Sequence, residues 1–183
     1  LFALEEAEIP VVAPWKVGGE SLFQSEEGIW FTIFPKVKGR LLDELDPERL
    51  KTLGRYIGRI HNVGERFPFK HRLSMNAENW GWKPLDYLLD SGLIDPVYEA
   101  RYQMVCDHLI GQAADALEGV QSFALHGDCH LGNTLWQLDS PFVLDFDGAM
   151  IAPAVQDIWM VVRGRDEEAE RDRDFLLEGY EAF

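Results

Sequence analysis

The chain has 183 residues, 46% of them hydrophobic and 27% charged, the composition of a folded globular protein and not of a disordered or fibrous one. Lys and Arg number 17 against 32 Asp and Glu, a formal net charge of −15, which repels phosphate backbones, disfavours nucleic-acid binding through a general basic face and attracts cationic partners. No apolar run approaches the roughly 20 residues that span a bilayer, and the acidic opening Leu1–Pro10 lacks the basic leader of a signal peptide.

Leu1–Glu8 reads as the end of a helix, stopped by Pro10 and Pro14. Gly18-Gly19 is a turn signal. Two strand-like runs, Ser21–Gln24 and Ile29–Phe34, flank a second turn at Glu26-Glu27-Gly28 and predict a β-hairpin that Pro35 ends. Lys36–Arg40 is read as a short connector. At Asp46-Pro47-Glu48 the pattern changes to a helix start, with a capping side chain and a proline in the first turn. Leu50, Leu53, Ile57 and Ile60 then recur at spacings of three and four, so Pro47–Gly64 is predicted to be a helix. Phe67–Trp82 reads as irregular and aromatic, Leu85–Leu89 as a short helix and Asp95–Glu118 as a long one. The mixed charges of Arg163–Asp174 read as a solvated helix face. Cys106 and Cys129 lie far apart with no CxxC partner, so no zinc site is expected, and they read as reduced thiols of a cytoplasmic protein. The chain begins in mid-pattern without Met and stops within a helical pattern, and so reads as a fragment.

The chemistry concentrates in Phe123–Ala149, FALHGDCHLGNTLWQLDSPFVLDFDGA. Thr134–Gln137 and Pro141–Leu144 predict a hairpin. His126, Asp128, His130 and Asn133 precede it, and Asp145 and Asp147 follow it. A hairpin returns to its starting edge, so Asp128, Asn133 and Asp145 should meet there. Two carboxylates and a carboxamide form a hard oxygen site suited to Mg²⁺, which takes few protein ligands and completes its shell with water and phosphate. Asp and Asn also cluster in ordinary turns. Turns alone, however, do not demand an Asp, an Asn five residues later, a hairpin, and an Asp at its far end.

His126-Gly127-Asp128-x-x-x-x-Asn133 followed by Asp145-Phe146-Asp147 resembles the catalytic core of the aminoglycoside phosphotransferase and choline kinase superfamily, relatives of eukaryotic protein kinases. Further blocks narrow the likeness to the bacterial stress response kinases, which are cytosolic Ser/Thr protein kinases. These blocks are Leu135-Trp136, Pro153-Ala154-Val155-Gln156-Asp157-Ile158-Trp159, Gly54-Arg55-Tyr56-Ile57-Gly58-Arg59-Ile60-His61 and Ile33-Phe34-Pro35. The resemblance implies an α+β, protein-kinase-like fold, with residues 1–35 as the remnant of an N-terminal lobe and 36–183 as a mainly helical C-terminal lobe.

On these residues it also implies ATP and Mg²⁺ as cofactors, Asp128 as catalytic base, and Asn133 and Asp145 as metal ligands, with Asp147 the alternative ligand if the hairpin is out of register. His130 is either a contact to the transferring phosphate or a loop hydrogen-bonder. Phe34, Pro35 and Lys36 would form the hinge against adenine. Asp157 either anchors the catalytic loop from below or caps its helix. The lid over the phosphates and the strand Lys with its helix Glu would precede Leu1, and further helices would follow Phe183. The isolated chain is therefore expected to be inactive or nearly so. The expected activity is phosphoryl transfer to Ser/Thr hydroxyls of a protein substrate, by a monomer without membrane or nucleic-acid partners. The alternative is a small-molecule kinase acting on an aminoglycoside, homoserine, choline or a sugar. A degenerate, non-catalytic fold would be expected to lack Asp128, Asn133 or Asp145, and all three are present.

Overall fold

The computed structural model describes residues 1–182. The α+β expectation holds: those residues form seven short strands and six α-helices, in separate runs of strands and of helices. Helix α1 (Phe2–Glu6) lies within Leu1–Glu8, the run read as the end of a helix. Strands β1 (Phe23–Gln24) and β2 (Trp30–Phe31) form the expected antiparallel hairpin, but with fewer rungs than the β-branched run suggests. The ladder gives way because the Ile33 carbonyl accepts from the Trp15 amide at 2.8 Å, so that residue pairs outside the hairpin.

Lys36–Arg40 does more than connect. Strand β3 (Arg40–Leu41) pairs with β5 (Thr134–Gln137), which pairs with β6 (Ser140–Val143), giving an antiparallel sheet in the order β3-β5-β6. Gly39 permits the approach, since a Cβ there would lie 2.5 Å from Leu135 Cγ.

Helix α2 (Pro47–Arg66) is the central element. Asp46 caps it, accepting from the Arg49 amide at 2.9 Å, and Leu50, Leu53, Ile57 and Ile60 are all buried as their spacing requires. Its lower half packs on α6 (Glu167–Tyr180) around Leu50, Leu53, Ile57, Ala169 and Leu176. Its upper half shares a second cluster with Leu4, Ile9, Val11 and Val143, so the first segment of the chain is seated on α2 and β6.

Phe67–Trp82 is irregular only over its first part. Glu78–Trp82 forms a π-helical turn that runs directly into α3 (Lys83–Asp90). Asn76 starts the turn by accepting from the Asn79 amide at 2.8 Å, and Pro84 has no N–H to return to the preceding turn, which favours the wider winding there. Helix α4 (Pro96–Leu117) has no buried residue. Strand β4 (Phe123–Leu125) pairs antiparallel with β7 (Met150–Ala152), and α5 (Val155–Val161) follows. No helix among the described residues is long and apolar enough to cross a membrane.

Candidate active site

The β4–β7 pair and the β5–β6 hairpin converge on one set of turns. Strand β4 delivers His126-Gly127-Asp128, and β7 departs from Gly148. Hairpin register places Thr134 opposite Val143, and one residue further out the Leu144 amide donates to the Asn133 carbonyl at 2.9 Å. Asn133 is thus paired with Leu144, and Asp145 is the next residue along the chain.

His126, fully buried, ties the turns together. Its Nε2 donates to the Leu144 carbonyl at 2.7 Å, its Nδ1 accepts from the Asp128 amide at 3.2 Å, and its ring packs on Phe146 with centroids 4.4 Å apart. Gly127 has φ +83°, and a Cβ on it would lie 2.2 Å from the Gly148 carbonyl oxygen. The catalytic-loop candidate and the Asp145–Gly148 turn thus touch backbone to backbone.

Asn133 is buried, and its Nδ2 donates to the Asp128 carbonyl at 2.9 Å and to Asp128 Oδ2 at 3.3 Å. With the nitrogen committed, the amide oxygen is left as an acceptor. Asp145 is exposed in the left-handed region at φ 59°, a conformation Asp tolerates, and this redirects the chain into the Phe146–Gly148 turn. Neither Asp145 nor Asp147 is ion-paired among the described residues. No group of three His, Cys, Asp or Glu that could hold a metal occurs among them either. One carboxylate and one amide oxygen beside open space suit a cation that keeps water and phosphate in its shell, so the residues fit Mg²⁺ better than a fully protein-ligated metal.

Two of the cavities among the described residues open beside the candidate residues. One, of about 460 Å³, is lined by Val12, Phe34, Arg72, Leu144, Asp145 and Asp147 among others. Of the three hinge candidates, Phe34 reaches this cavity; Pro35 is half-buried and Lys36 exposed, and neither lines it. Arg72 Nη1 donates to the Asp147 carbonyl at 2.5 Å, holding the turn from the irregular segment after α2. The other cavity, of about 730 Å³, has His130, Leu131 and Gly132 on one wall and Asp43, Glu44, Asp166, Glu168 and Asp172 on the others, with Arg163 the sole basic side chain apart from His130 among the described residues that line it. His130 lies 3.7 Å from Asp128 Oδ2, one-third exposed.

For Asp157, the structure decides between anchor and cap. It makes no cap bond, and α5 starts at Val155 without one. Buried beneath the loop, Asp157 Oδ1 accepts from the Gly127 amide at 2.7 Å, and Oδ2 accepts from the His126 amide at 3.0 Å and faces His61 Nε2 at 2.9 Å. Gln156 Nε2 donates to the Gly127 carbonyl at 2.9 Å, so that peptide is held from both sides. Cys129, enclosed between these groups, has its thiol pushed well above the usual range, first by burial and then by the charges of Asp157 and Asp128.

His61, Gln156 and Arg72 are site-supporting residues that the sequence reading does not single out. His61 carries a signal: it sits four residues after Ile57 on the buried stripe of α2, where a polar side chain needs a partner. Gln156 stands in one of the blocks that carry the resemblance, beside Asp157, but with no role given to it, and Arg72 carries no signal.

Residues 3–183 match the phosphotransferase enzyme family, APH. Stress response kinase A of Escherichia coli K12 is 35% identical over 185 residues, covering 100% of this chain and 56% of its own length. Serine/threonine protein kinase RdoA of Salmonella typhimurium LT2 is 33% identical, covering 98% of this chain and 55% of its own. The chain thus spans a little over half the length of these curated relatives. Among solved structures, amicoumacin kinase hAmiN in complex with AMP-PNP, Ca²⁺ and Ami superposes with a TM-score of 0.76 at 18% identity, over 99% of this chain and 59% of that one. Spectinomycin phosphotransferase APH(9)-Ia with ADP and spectinomycin superposes with a TM-score of 0.65 at 15% identity, over 98% and 61%. The match over nearly every residue, with the shared fold, establishes that the chain belongs to the phosphotransferase enzyme family and carries its kinase-like architecture.

Proposed function

We propose that the protein transfers the γ-phosphoryl group of ATP to a Ser/Thr hydroxyl of a protein, in the cytoplasm and as a monomer. Residues 1–35 would form the lower edge of the nucleotide lobe, and 36–183 the catalytic lobe. The observation that carries the reading is the junction of Asp128, Asn133 and the Asp145 turn: two segments brought into backbone contact at Gly127 and Gly148. Asp128 is the base: it orients the acceptor hydroxyl and receives its proton as the oxygen bonds to phosphorus and the bridging oxygen leaves with ADP. Asn133 through its amide oxygen and Asp145 through its carboxylate would hold Mg²⁺, which when bound supplies positive charge to the phosphate oxygens. His130, between Asp128 and the acidic cavity, would contact the transferring phosphate. Phe34–Lys36 would line the adenine side, with Phe34 in the same cavity as Asp145.

The acidic 730 Å³ cavity beside His130 favours an acceptor with cationic groups near its hydroxyl. A basic peptide segment meets that description. So does an aminoglycoside, which keeps a small-molecule kinase as the second reading. The names of the curated relatives favour the protein acceptor. The test is to incubate the full-length protein with labelled ATP and Mg²⁺, offering basic Ser/Thr peptides, a casein-type protein and an aminoglycoside panel separately. Label in the peptide or protein supports the first reading, label only in an aminoglycoside supports the second, and no Mg²⁺-dependent label in any arm refutes both.

A further inference from the structure

Helix α6 ends in a side chain that belongs to neither cavity. The Tyr180 hydroxyl lies 3.0 Å from Nδ1 of the buried His61, whose Nε2 lies 2.9 Å from Asp157 Oδ2. The two rings meet edge-on, with centroids 5.5 Å apart at 73°, and Phe123 covers His61 from another side at 5.0 Å. Tyr180 is fixed in place through Gly179, where a Cβ would lie 2.0 Å from the Lys51 carbonyl of α2.

The hydrogen-bond directions follow from the chemistry of each group. An ionised carboxylate only accepts, and Asp157 already takes two backbone amides, so the Nε2 facing it carries the proton. In that tautomer Nδ1 is an acceptor, and its partner must donate. Tyr180 remains a donor because burial, followed by the charges of Glu65 and Asp157, raises its hydroxyl above the usual tyrosine range. The bonds run in one sense, from Tyr180 O–H to His61 and from His61 N–H to Asp157, and Asp157 holds the amides of His126 and Gly127. Without the hydroxyl, Asp157 still holds the proton on Nε2, but Nδ1 is left buried without its donor and the ring loses its hold on the α6 side.

We infer that Tyr180 is a positioning residue for the phosphoryl transfer proposed above, acting through His61 and Asp157 on the backbone that carries Asp128. The inference rests on that reading for its kinetic consequence and on the structure alone for its spectroscopic one. In the full-length protein, Tyr180→Phe keeps the ring and removes one neutral hydrogen bond. We expect kcat to fall about threefold to tenfold, the size of one such bond, with KM for ATP unchanged. We also expect the His126 and Gly127 amide resonances to shift. In the unaltered protein, ¹⁵N imidazole shifts should report a single Nε2–H tautomer for His61, and Tyr180→Phe should keep that tautomer while moving the Nδ1 resonance towards that of an unbonded imine nitrogen. A wild-type His61 that is Nδ1-protonated or doubly protonated overturns the inference. So does a Tyr180→Phe variant with unchanged kcat and unchanged amide shifts. Absence of any phosphate transfer by the wild type refutes the functional reading instead, and the tautomer and amide shifts still decide the role of Tyr180.

Discussion

Asp128 and Asp145 are both acidic residues at turns, and their different surroundings support the different roles proposed for them. Asp128 is half-buried and bonded to the Asn133 amide, whereas Asp145 is exposed in a left-handed turn with its carboxylate unpaired among the described residues. Asp128→Asn should lower turnover by about 10²–10⁴-fold with little change in ATP affinity, as loss of a general base does, measured by steady-state kinetics on the full-length protein. Turnover and nucleotide binding falling in proportion would reassign the residue. Asp145→Ala should abolish Mg²⁺-dependent turnover while the melting temperature stays within a few degrees, because the side chain is exposed and in no ion pair among the described residues; if Asp147→Ala is the inactive variant instead, the ligand is Asp147. At this scale the sequence was most informative. The Asp128-to-Asn133 spacing and the hairpin that returns to Asp145 are local, and locality survives in a sequence. The contacts of His61 with Asp157, Gln156 with Gly127 and Arg72 with Asp147 span 96, 29 and 75 positions, and no local pattern reports which distant residue will arrive.

Among the elements, helix α2 was legible from cap to last turn because its apolar period and its cap agree. The two-residue strands were not, because a ladder that short leaves no periodicity to read; β3 exists only because β5 lies beneath it. The α2–α6 crossing is likewise invisible in sequence, since Gly54 and Gly179 look like ordinary helix-weakening glycines. In the structure each is a contact point, with a Cβ on Gly54 falling 2.0 Å from the Leu176 carbonyl oxygen. Gly54→Ala should therefore destabilise despite the better helix propensity of alanine, which favours it by about 1 kcal/mol. Backbone oxygens cannot rotate away, so an overpacking cost of about 1–3 kcal/mol applies at its upper end and outweighs that gain. Urea denaturation checks the sign, and a stabilised Gly54→Ala would mean the helices are farther apart than described.

For the whole molecule, charge has two separable consequences. The net −15 and the acidic cavity predict that KM for a cationic acceptor rises about severalfold between 50 and 200 mM salt, while KM for ATP moves less, because screening acts on the exposed acidic wall. Alkaline stability depends on a different group. The Cys129 thiol titrates above its ordinary value of 9.0 when folded and near it when unfolded. The unfolded chain therefore loses this proton first as pH rises. Stability should be unaffected below about pH 8 and decline above about pH 9, with a limiting slope of about 1.4 kcal/mol per pH unit from this one group. Cys129→Ala should flatten that slope in denaturation curves recorded at successive pH values, and an unchanged slope would assign it to other groups. In the same native protein a thiol reagent should modify the part-exposed Cys106 and spare Cys129 until the chain unfolds.

The burial of the loop itself has a consequence for dynamics. Loops ordinarily open first, by small local excursions that leave the rest of a protein intact. Here His126, Gly127, Cys129, Asn133 and Thr134 are buried, and the amides of His126 and Gly127 are bonded to a carboxylate that solvent cannot reach. Those two protons have no shallow route to water. They should exchange with deuterium as slowly as the amides of Leu53 and Ile57 in the middle of α2, through the global transition alone. Heat or denaturant should then remove activity and fold at the same midpoint, so that this protein has no folded but catalytically disarranged state on its way to unfolding.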